Sequence, residues 1–191
     1  MRPMRVTADH PFDLLLHVER HCLEAARKAG SGSQIASRGS GLLAIRLRER
    51  LFTMPLAVIE SIESVPKYTK VPGVRRWLLG IANLRGVVIT ISDVSAFLFG
   101  DIRPPQPASR LIVAAHEDWQ YGLLVDEVIG LRRFETAPVE TDLDLDDERL
   151  RRYVDQRRRV GRHMWLGLDL HTLLRDQKFQ NAALSSSLSS D

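Results

Sequence analysis

Residues 71–100, VPGVRRWLLGIANLRGVVITISDVSAFLFG, carry the most informative strand and turn pattern of the chain. They predict a short apolar run, a turn at residues 83–86 and a second apolar run that forms a strand. Asn83 tolerates a left-handed or turn conformation, and Gly86 closes a tight reversal without Cβ strain. Because Arg85 carries a charge between two runs that are too apolar for the surface, its side chain is predicted to point out of the sheet.

A short capped helix is predicted directly after this strand. Ser92 or Asp93 offers a side-chain oxygen to the unpaired N–H groups of the first helical turn. Gly100 occupies the position at which a glycine commonly ends a helix. The apolar side chains of this helix are those of Val94, Phe97 and Leu98.

The run GIANLRGVVITISDVSAF, residues 80–97, resembles the signature of CheW-like coupling domains. In that family a short strand leads to an NLRG turn, a second strand and a helix capped by aspartate. The resemblance covers about residues 41–174. The context YTKVPGVRRWLLGIANLRG and an amphipathic leader resemble the branch of the family that serves the chemosensory systems of type IV pili. Many members have proline where this chain has Thr90, which predicts a more regular strand here.

The resemblance implies an all-β fold with short peripheral helices, built as a CheW-like pair of small five-stranded SH3-like barrels and preceded by an N-terminal helix. It places about residues 42–100 in the first barrel and 109–160 in the second, and it returns the last strand and helix to the first barrel. The expected domain organisation is an N-terminal amphipathic helix and flexible linker over residues 1–40, the CheW-like domain with two subdomains over 41–176, and a disordered tail over 177–191.

Further strands are predicted from apolar and polar alternation and from glycine and proline punctuation. Residues 42–56 predict an antiparallel hairpin, which a short connecting helix and another strand follow. Two apolar strands are predicted over residues 111–115 and 121–128. Many short strands with brief helices are typical of an all-β barrel architecture.

Residues 149–162 are strongly basic and follow an acidic run. A short ordered turn is predicted near Tyr153, then a last strand over residues 164–168 and a helix capped by Asp169. Adjacent acidic and basic runs favour two solvated surfaces that compensate each other. The alternative is a nucleic-acid-binding β-barrel protein that contacts phosphates through a C-terminal arginine cluster. The cluster consists of Arg149, Arg151, Arg152, Arg157, Arg158, Arg159 and Arg162.

The N-terminal segment predicts an amphipathic helix over residues 9–29, which Asp9 caps and Gly30 ends. A linker rich in glycine and serine follows, so the helix is tethered to the domain rather than built into it. Its apolar stripe either docks on the barrels of the same chain or binds a partner.

The composition is that of an ordinary globular protein, with 191 residues, 44% hydrophobic and 27% charged residues and a net charge of +3. Cys22 is the only cysteine, which excludes an internal disulfide and every CxxC motif and favours a reducing compartment. No apolar run has the length needed to cross a bilayer, and no secretion signal is recognisable at the N-terminus. We therefore expect a cytoplasmic protein that does not insert into the membrane.

Metal and catalytic motifs are not recognisable in the sequence. His17 and His21 lack a third ligand at a suitable position, and the aspartates near Asp144 lack the glycine and glutamate of a calcium loop. A GxSxG elbow, a phosphate-binding glycine loop and an activated cysteine are all missing. We expect no metal site, no cofactor and no enzymatic activity.

The resemblance implies a non-catalytic adaptor that couples the cytoplasmic tip of a chemoreceptor to the regulatory domain of a CheA-type histidine kinase, with type IV pilus twitching motility as the output. Membrane association would then come through receptor arrays. The receptor-binding positions that it implies are Arg85, Asn83, Gly80 and, as a weaker apolar contact, Ile59. A receptor helix would occupy a cleft between the barrels. Alternatively, Arg85 only pairs with a neighbouring carboxylate and pins its turn.

Overall fold

The computed structural model describes residues 41–116, 119–134, 137–141, 145 and 147–182. The predicted N-terminal helix and linker over residues 1–40 lie outside the described residues, as do the central aspartates of the acidic run. About half of the described residues belong to two β-sheets, and the helices are short. The predicted class, an all-β fold with short helices, is therefore confirmed.

Sheet 1 combines strands from the beginning and the end of the described chain. β1 pairs in antiparallel fashion with both β2 and β8, whereas β2 pairs in parallel with β11. The strand order is β8-β1-β2-β11-β10-β9. The strands are β1 (Leu42–Leu47), β2 (Arg50–Pro55), β8 (Glu127–Arg132), β9 (Val139–Glu140), β10 (Val154–Val160) and β11 (His163–Leu168).

Sheet 2 is formed by the central part of the chain, in the order β3-β6-β7-β5-β4. Its two edge strands, β3 and β4, lie close to each other. An ion pair of 2.8 Å joins Glu63 on β3 to Arg85, which follows β4. A second hydrophobic cluster, which includes Ala82, Ile91 and Leu111, is buried within this sheet. The strands are β3 (Ile59–Ser64), β4 (Leu78–Leu84), β5 (Val87–Asp93), β6 (Arg110–His116) and β7 (Trp119–Val125).

The predicted division into barrels over residues 42–100 and 109–160 was wrong. After β2 the chain leaves sheet 1, builds all of sheet 2 from β3 to β7, and returns for β8 to β11. Sheet 1 also has six strands instead of five, since the two-residue strand β9 pairs with β10. The parallel pairs β2–β11 and β5–β7 join strands that are distant in the chain, and sequence patterns do not specify such partners.

Strand β10 was also missed within the basic segment. Its arginines are accommodated because the strand pairs with β11 and β9, and because Arg157 forms an ion pair with Glu140. The guanidinium of Arg158 lies over the ring of Phe134, 5.8 Å from its centroid. A strand with two hydrogen-bonded neighbours thus overrides the polar composition.

The short helices begin at aspartates, as predicted for two of them. The carboxylate of Asp93 accepts the N–H of Ala96 at 2.9 Å, and Asp169 accepts the N–H of Thr172 at 3.0 Å. Gly100 ends the first helix with a φ of 76°. The helices are α1 (Val94–Phe99), α2 (Glu148–Tyr153), α3 (Leu170–Arg175) and α4 (Gln177–Gln180), and one 3-10 turn spans Leu56–Val58. No helix among these has the length and apolar composition of a membrane span.

The first six residues of the segment expected to be a disordered tail, 177–182, lie within the described residues. Helix α4 occupies Gln177–Gln180, and Phe179 is only 3% exposed. Its ring stacks on that of Trp77 with centroids 5.2 Å apart, and the N–H of Arg75 donates to the carbonyl of Ala182 at 2.7 Å. Residues 177–182 are therefore ordered, because an aromatic side chain anchors them to the core.

The main core lies between the two sheets and the helices. Sheet 1 contributes Ile45 and Phe52, and sheet 2 contributes Ile112 and Leu123, all fully buried. The two sheets therefore share one hydrophobic cluster, whereas the buried residues of the β4–β5 hairpin, Ala82, Ile89 and Ile91, belong to the second cluster within sheet 2.

Candidate functional site

The β4–β5 turn is a two-residue hairpin connection made by Arg85 and Gly86. Both residues have positive φ, 52° and 90°, which is the pattern of a type I′ turn. The N–H of Gly86 donates to the side-chain oxygen of Asn83 at 2.8 Å. The turn was predicted, but its non-glycine residue with a positive φ is Arg85 rather than Asn83, which belongs to β4 and closes the turn through its side chain.

Arg85 points away from the sheet, as its charge predicted, with 76% of its side chain exposed. Its Nη2 lies 2.8 Å from Oε1 of Glu63, so the guanidinium also pairs with a neighbouring carboxylate. This exposed pair contributes little to stability, and the guanidinium retains donors for a partner.

Gly80 is buried and permits a close contact within the same chain. A Cβ at this position would lie 2.2 Å from the carbonyl oxygen of Thr69, and the backbone φ is 154°. Thr69 and Ile81 exchange two backbone hydrogen bonds, of 2.8 and 2.9 Å, across the edge of β4. The close approach that Gly80 permits is thus that of the preceding segment of the same chain.

Ile59 lies apart from the other predicted positions. It begins β3, the edge of sheet 2 opposite β4, and its half-buried side chain packs against the main core. The structure therefore brings Asn83 and Arg85 together at one turn, keeps Gly80 buried on the same strand, and places Ile59 on another strand.

An exposed apolar surface beside the turn was not predicted. Val88, which pairs with Asn83, is 67% exposed, and Trp119 on β7 is 68% exposed. The parallel register sets Thr90 opposite Tyr121, and these paired residues stand two positions after Val88 on β5 and after Trp119 on β7. The unbroken apolar run after the turn was the available signal, because a strand with one solvated face normally alternates.

We call the exposed residues of the turn and its two strands the hairpin face. Its backbone is held by the ladder between β4 and β5, so a partner would meet a preformed surface. Apolar side chains beside a guanidinium and an amide are typical of protein interfaces rather than of catalytic sites. The hairpin face consists of Ile81, Asn83 and Val88, which lie on one face of the hairpin, and of Arg85 in the turn, whereas Val87 pairs with Leu84 on the opposite face.

The titratable groups with shifted pKa values lie in structural networks. Burial raises the pKa of Asp93, the cap of α1, and burial with the nearby charge of Asp169 raises the pKa of Asp155. Burial acts to raise the pKa of Asp176, but hydrogen bonds from Tyr153 and Lys178 and the charge of Arg152 lower it overall. Within the described ranges, no three histidine, cysteine, aspartate or glutamate residues are grouped as metal ligands.

The arginine cluster is divided between α2, β10 and the turn after β10, and it is partly neutralised. Arg152 on α2 lies 2.9 Å from the carboxylate of Asp176, while Arg157 on β10 pairs with Glu140. These ion pairs reduce the charge that the cluster offers to a phosphate backbone. The nucleic-acid alternative gains no support from this arrangement.

Comparisons with known proteins agree on one family. The model of the CheW-like domain matches residues 41–178. The chain is 34% identical to protein PilI of Pseudomonas aeruginosa over 131 residues, which is 69% of this chain and 71% of that protein. It is 29% identical to the chemotaxis protein CheW of Bacillus subtilis over 119 residues, 59% of this chain and 76% of that one.

The fold agrees with a solved structure as well. The scaffolding protein TtCheW of Thermoanaerobacter tengcongensis superposes with a TM-score of 0.60 at 22% identity, over 72% of this chain and 94% of that one. A likeness at this identity shows the fold alone. Family membership rests on the family model and on the relative that is 34% identical. The chain belongs to the CheW-like domain family.

Proposed function

We propose that this protein is a non-catalytic adaptor that couples a chemoreceptor to a CheA-type histidine kinase. Membership of the CheW-like family supports the coupling role, and the 34% identity to PilI supports a pathway that controls type IV pilus twitching motility. The observation that carries the proposal is the exposed, preformed hairpin face, on which the NLRG motif places Asn83 and Arg85 at the surface.

In this proposal the hairpin face contacts the cytoplasmic tip of the receptor. Ile81 and Val88 supply apolar area, and the guanidinium of Arg85 donates charge-assisted hydrogen bonds to receptor carboxylates or carbonyls. Ile59 contributes at the margin, on the strand that also carries Glu63. Gly80 acts indirectly, because it lets Thr69 hold the edge of β4. The kinase regulatory domain binds elsewhere, and the adaptor reaches the membrane through receptor arrays.

The test is binding of the purified protein to a cytoplasmic receptor fragment and, separately, to the kinase regulatory domain. Arg85→Glu is expected to weaken receptor binding by at least about tenfold, since it replaces a donor at the interface by a repelling charge. Kinase binding should stay within about twofold of the wild type. Circular dichroism checks that the variant folds.

Two control variants separate partner contact from pinning of the turn. Glu63→Gln removes the internal ion pair but leaves Arg85 in place, so receptor binding should persist. The double variant Arg85→Glu with Glu63→Arg restores an internal pair with reversed charges and should still bind poorly. If the double variant recovers wild-type affinity, Arg85 only pins the turn. If the wild type binds neither partner, the adaptor proposal is wrong.

A further inference from the structure

A second surface, distinct from the hairpin face, lies beside the start of β4. It is a groove of about 490 Å³ with an apolar floor. The floor consists of four half-buried side chains, from the segment before β4 and from β4 itself, and of Ile102, which is 43% exposed. These side chains are Val71, Val74, Leu78, Leu79 and Ile102.

The rim of this groove is entirely basic. Lys70, Arg75 and Arg76 line it, all three are exposed, and no carboxylate of the described chain is among the lining residues. The nearest carboxylate in sequence, Asp101, is engaged by Arg103 at 2.7 Å. The groove therefore presents three positive charges around an apolar floor, and we call it the basic groove.

The backbone around the basic groove is held in place. The N–H of Arg75 donates to the carbonyl of Ala182, and the N–H of Leu78 donates to the carbonyl of Arg75 at 3.0 Å. Trp77, between them, is clamped by Phe179 and by Phe97. A partner would bind without first paying to order this segment.

The edge of β4 favours one way of binding. Ile81 uses both its N–H and its carbonyl oxygen for Thr69, so an extended peptide cannot add to the sheet there. An occupant must therefore be recognised through its side chains. An amphipathic helix meets this requirement, since it presents apolar residues as a stripe and has no unpaired backbone groups along its middle.

We propose that the basic groove binds an acidic amphipathic helix of a partner protein. Apolar side chains of the helix fill the floor, and carboxylates on its flanks pair with Lys70, Arg75 and Arg76. The basic groove shares no residue with the hairpin face, so this partner segment and the proposed receptor contact are independent.

The probe is a fluorescent synthetic helix of about 20 residues, with leucine at helical spacing and glutamate on both flanks. Fluorescence anisotropy measures its affinity for the full-length wild type and for Arg75→Glu/Arg76→Glu. The double reversal is expected to weaken binding by at least about tenfold, and Ile102→Ser by about threefold or more. Because these side chains are at the surface, the variants are expected to fold. Circular dichroism verifies this.

Matched controls decide whether the site is specific. Arg159→Glu/Arg162→Glu makes the same change of net charge on sheet 1 and should alter the affinity by less than about twofold. Arg85→Glu should leave it unchanged, so failure of the receptor proposal would not imply failure here. A scrambled peptide of equal composition should bind at least about tenfold more weakly.

Three results would overturn the proposal. They are no saturable binding at about 1 mM peptide, equal loss in the two double reversals, and equal affinity for the scrambled peptide. The last two would mean that only net charge is sensed. A short DNA duplex at the same charge concentration is the last competitor. If it displaces the probe helix, and if the scrambled peptide binds as tightly as the probe, the basic surface binds polyanions in general.

Discussion

Arg85 has a left-handed backbone conformation that costs most side chains about 1–2 kcal/mol. Glycine or asparagine would fit a type I′ turn with less strain. An arginine nevertheless occupies this position. Its ion pair with Glu63 is exposed, and such pairs contribute at most about 1 kcal/mol. Backbone strain that no interaction within the protein offsets is typical of binding sites. It favours a partner contact for this side chain.

The role of Gly80 is tested by alanine. Gly80→Ala should lower the free energy of unfolding by about 2–4 kcal/mol, because its Cβ would collide with the Thr69 carbonyl and strain the backbone. Gly86→Ala is the matched control. It has a positive φ but no atom within 4 Å of the added Cβ, so only about 1 kcal/mol should be lost. Urea denaturation measures both, and equal losses would contradict the steric explanation.

At the scale of elements, α4 is linked to α2 by one buried carboxylate. Asp176 accepts a hydrogen bond of 2.6 Å from the hydroxyl of Tyr153, caps α4 through the N–H of Lys178, and pairs with Arg152. Phe179 then fills the aromatic cluster around Trp77. The C-terminal helix is therefore a structural part of the domain that supports the residues leading into β4.

Tyr153→Phe should lower the free energy of unfolding by about 1–3 kcal/mol at pH 7, because a hydrogen bond to a charged group is lost. Burial, and then the hydrogen bond to Asp176, raise the pKa of Tyr153 above its usual 10.0. The unfolded tyrosine ionises above pH 10 while the folded one stays protonated, so alkali favours unfolding of the wild type.

The stability difference between wild type and Tyr153→Phe should therefore shrink as pH rises above 10. Unfolding in urea at pH 7, 9 and 10.5 checks this sign. A difference that is constant over the three pH values would show that the hydroxyl is not protected in the folded state.

At the scale of the whole molecule, a charged network joins the two sheets beneath α1. Arg48, in the β1–β2 turn, is only 9% exposed, and its Nη1 lies 2.9 Å from the carboxylate of Asp126, between β7 and β8. Asp126 also accepts the backbone N–H of Arg48 and the hydroxyl of Ser95. With the shared core, this network makes the sheets one cooperative unit.

Arg48→Ala should cost about 2–4 kcal/mol of unfolding free energy, less than for a fully buried pair, because the Asp126 carboxylate is partly exposed. Arg103→Ala removes an exposed partner of Asp101 and should cost less than about 1 kcal/mol. Urea transitions followed by tryptophan fluorescence and circular dichroism should coincide in both variants. A loss below about 1 kcal/mol for Arg48→Ala would contradict a role in joining the sheets.

The sequence alone determined the features that depend on neighbours along the chain. The turn at Arg85 and Gly86, the caps at Asp93 and Asp169 and the helix end at Gly100 were predictable, because glycine conformation and capping oxygens act within a few residues. The motif around the turn also carried the family resemblance. Thr90 lies within β5 and pairs on both sides, so the prediction of a regular strand there is confirmed.

Which separated segments meet became known from the three-dimensional structure. The pairing of β2 with β11, the approach of Thr69 to Gly80, the ion pair of Arg85 with Glu63 and the burial of Phe179 were not predictable. Each joins residues that are not neighbours in the chain. Side-chain type and periodicity indicate that a strand has a buried face, but which strand covers that face depends on the packing of the whole domain.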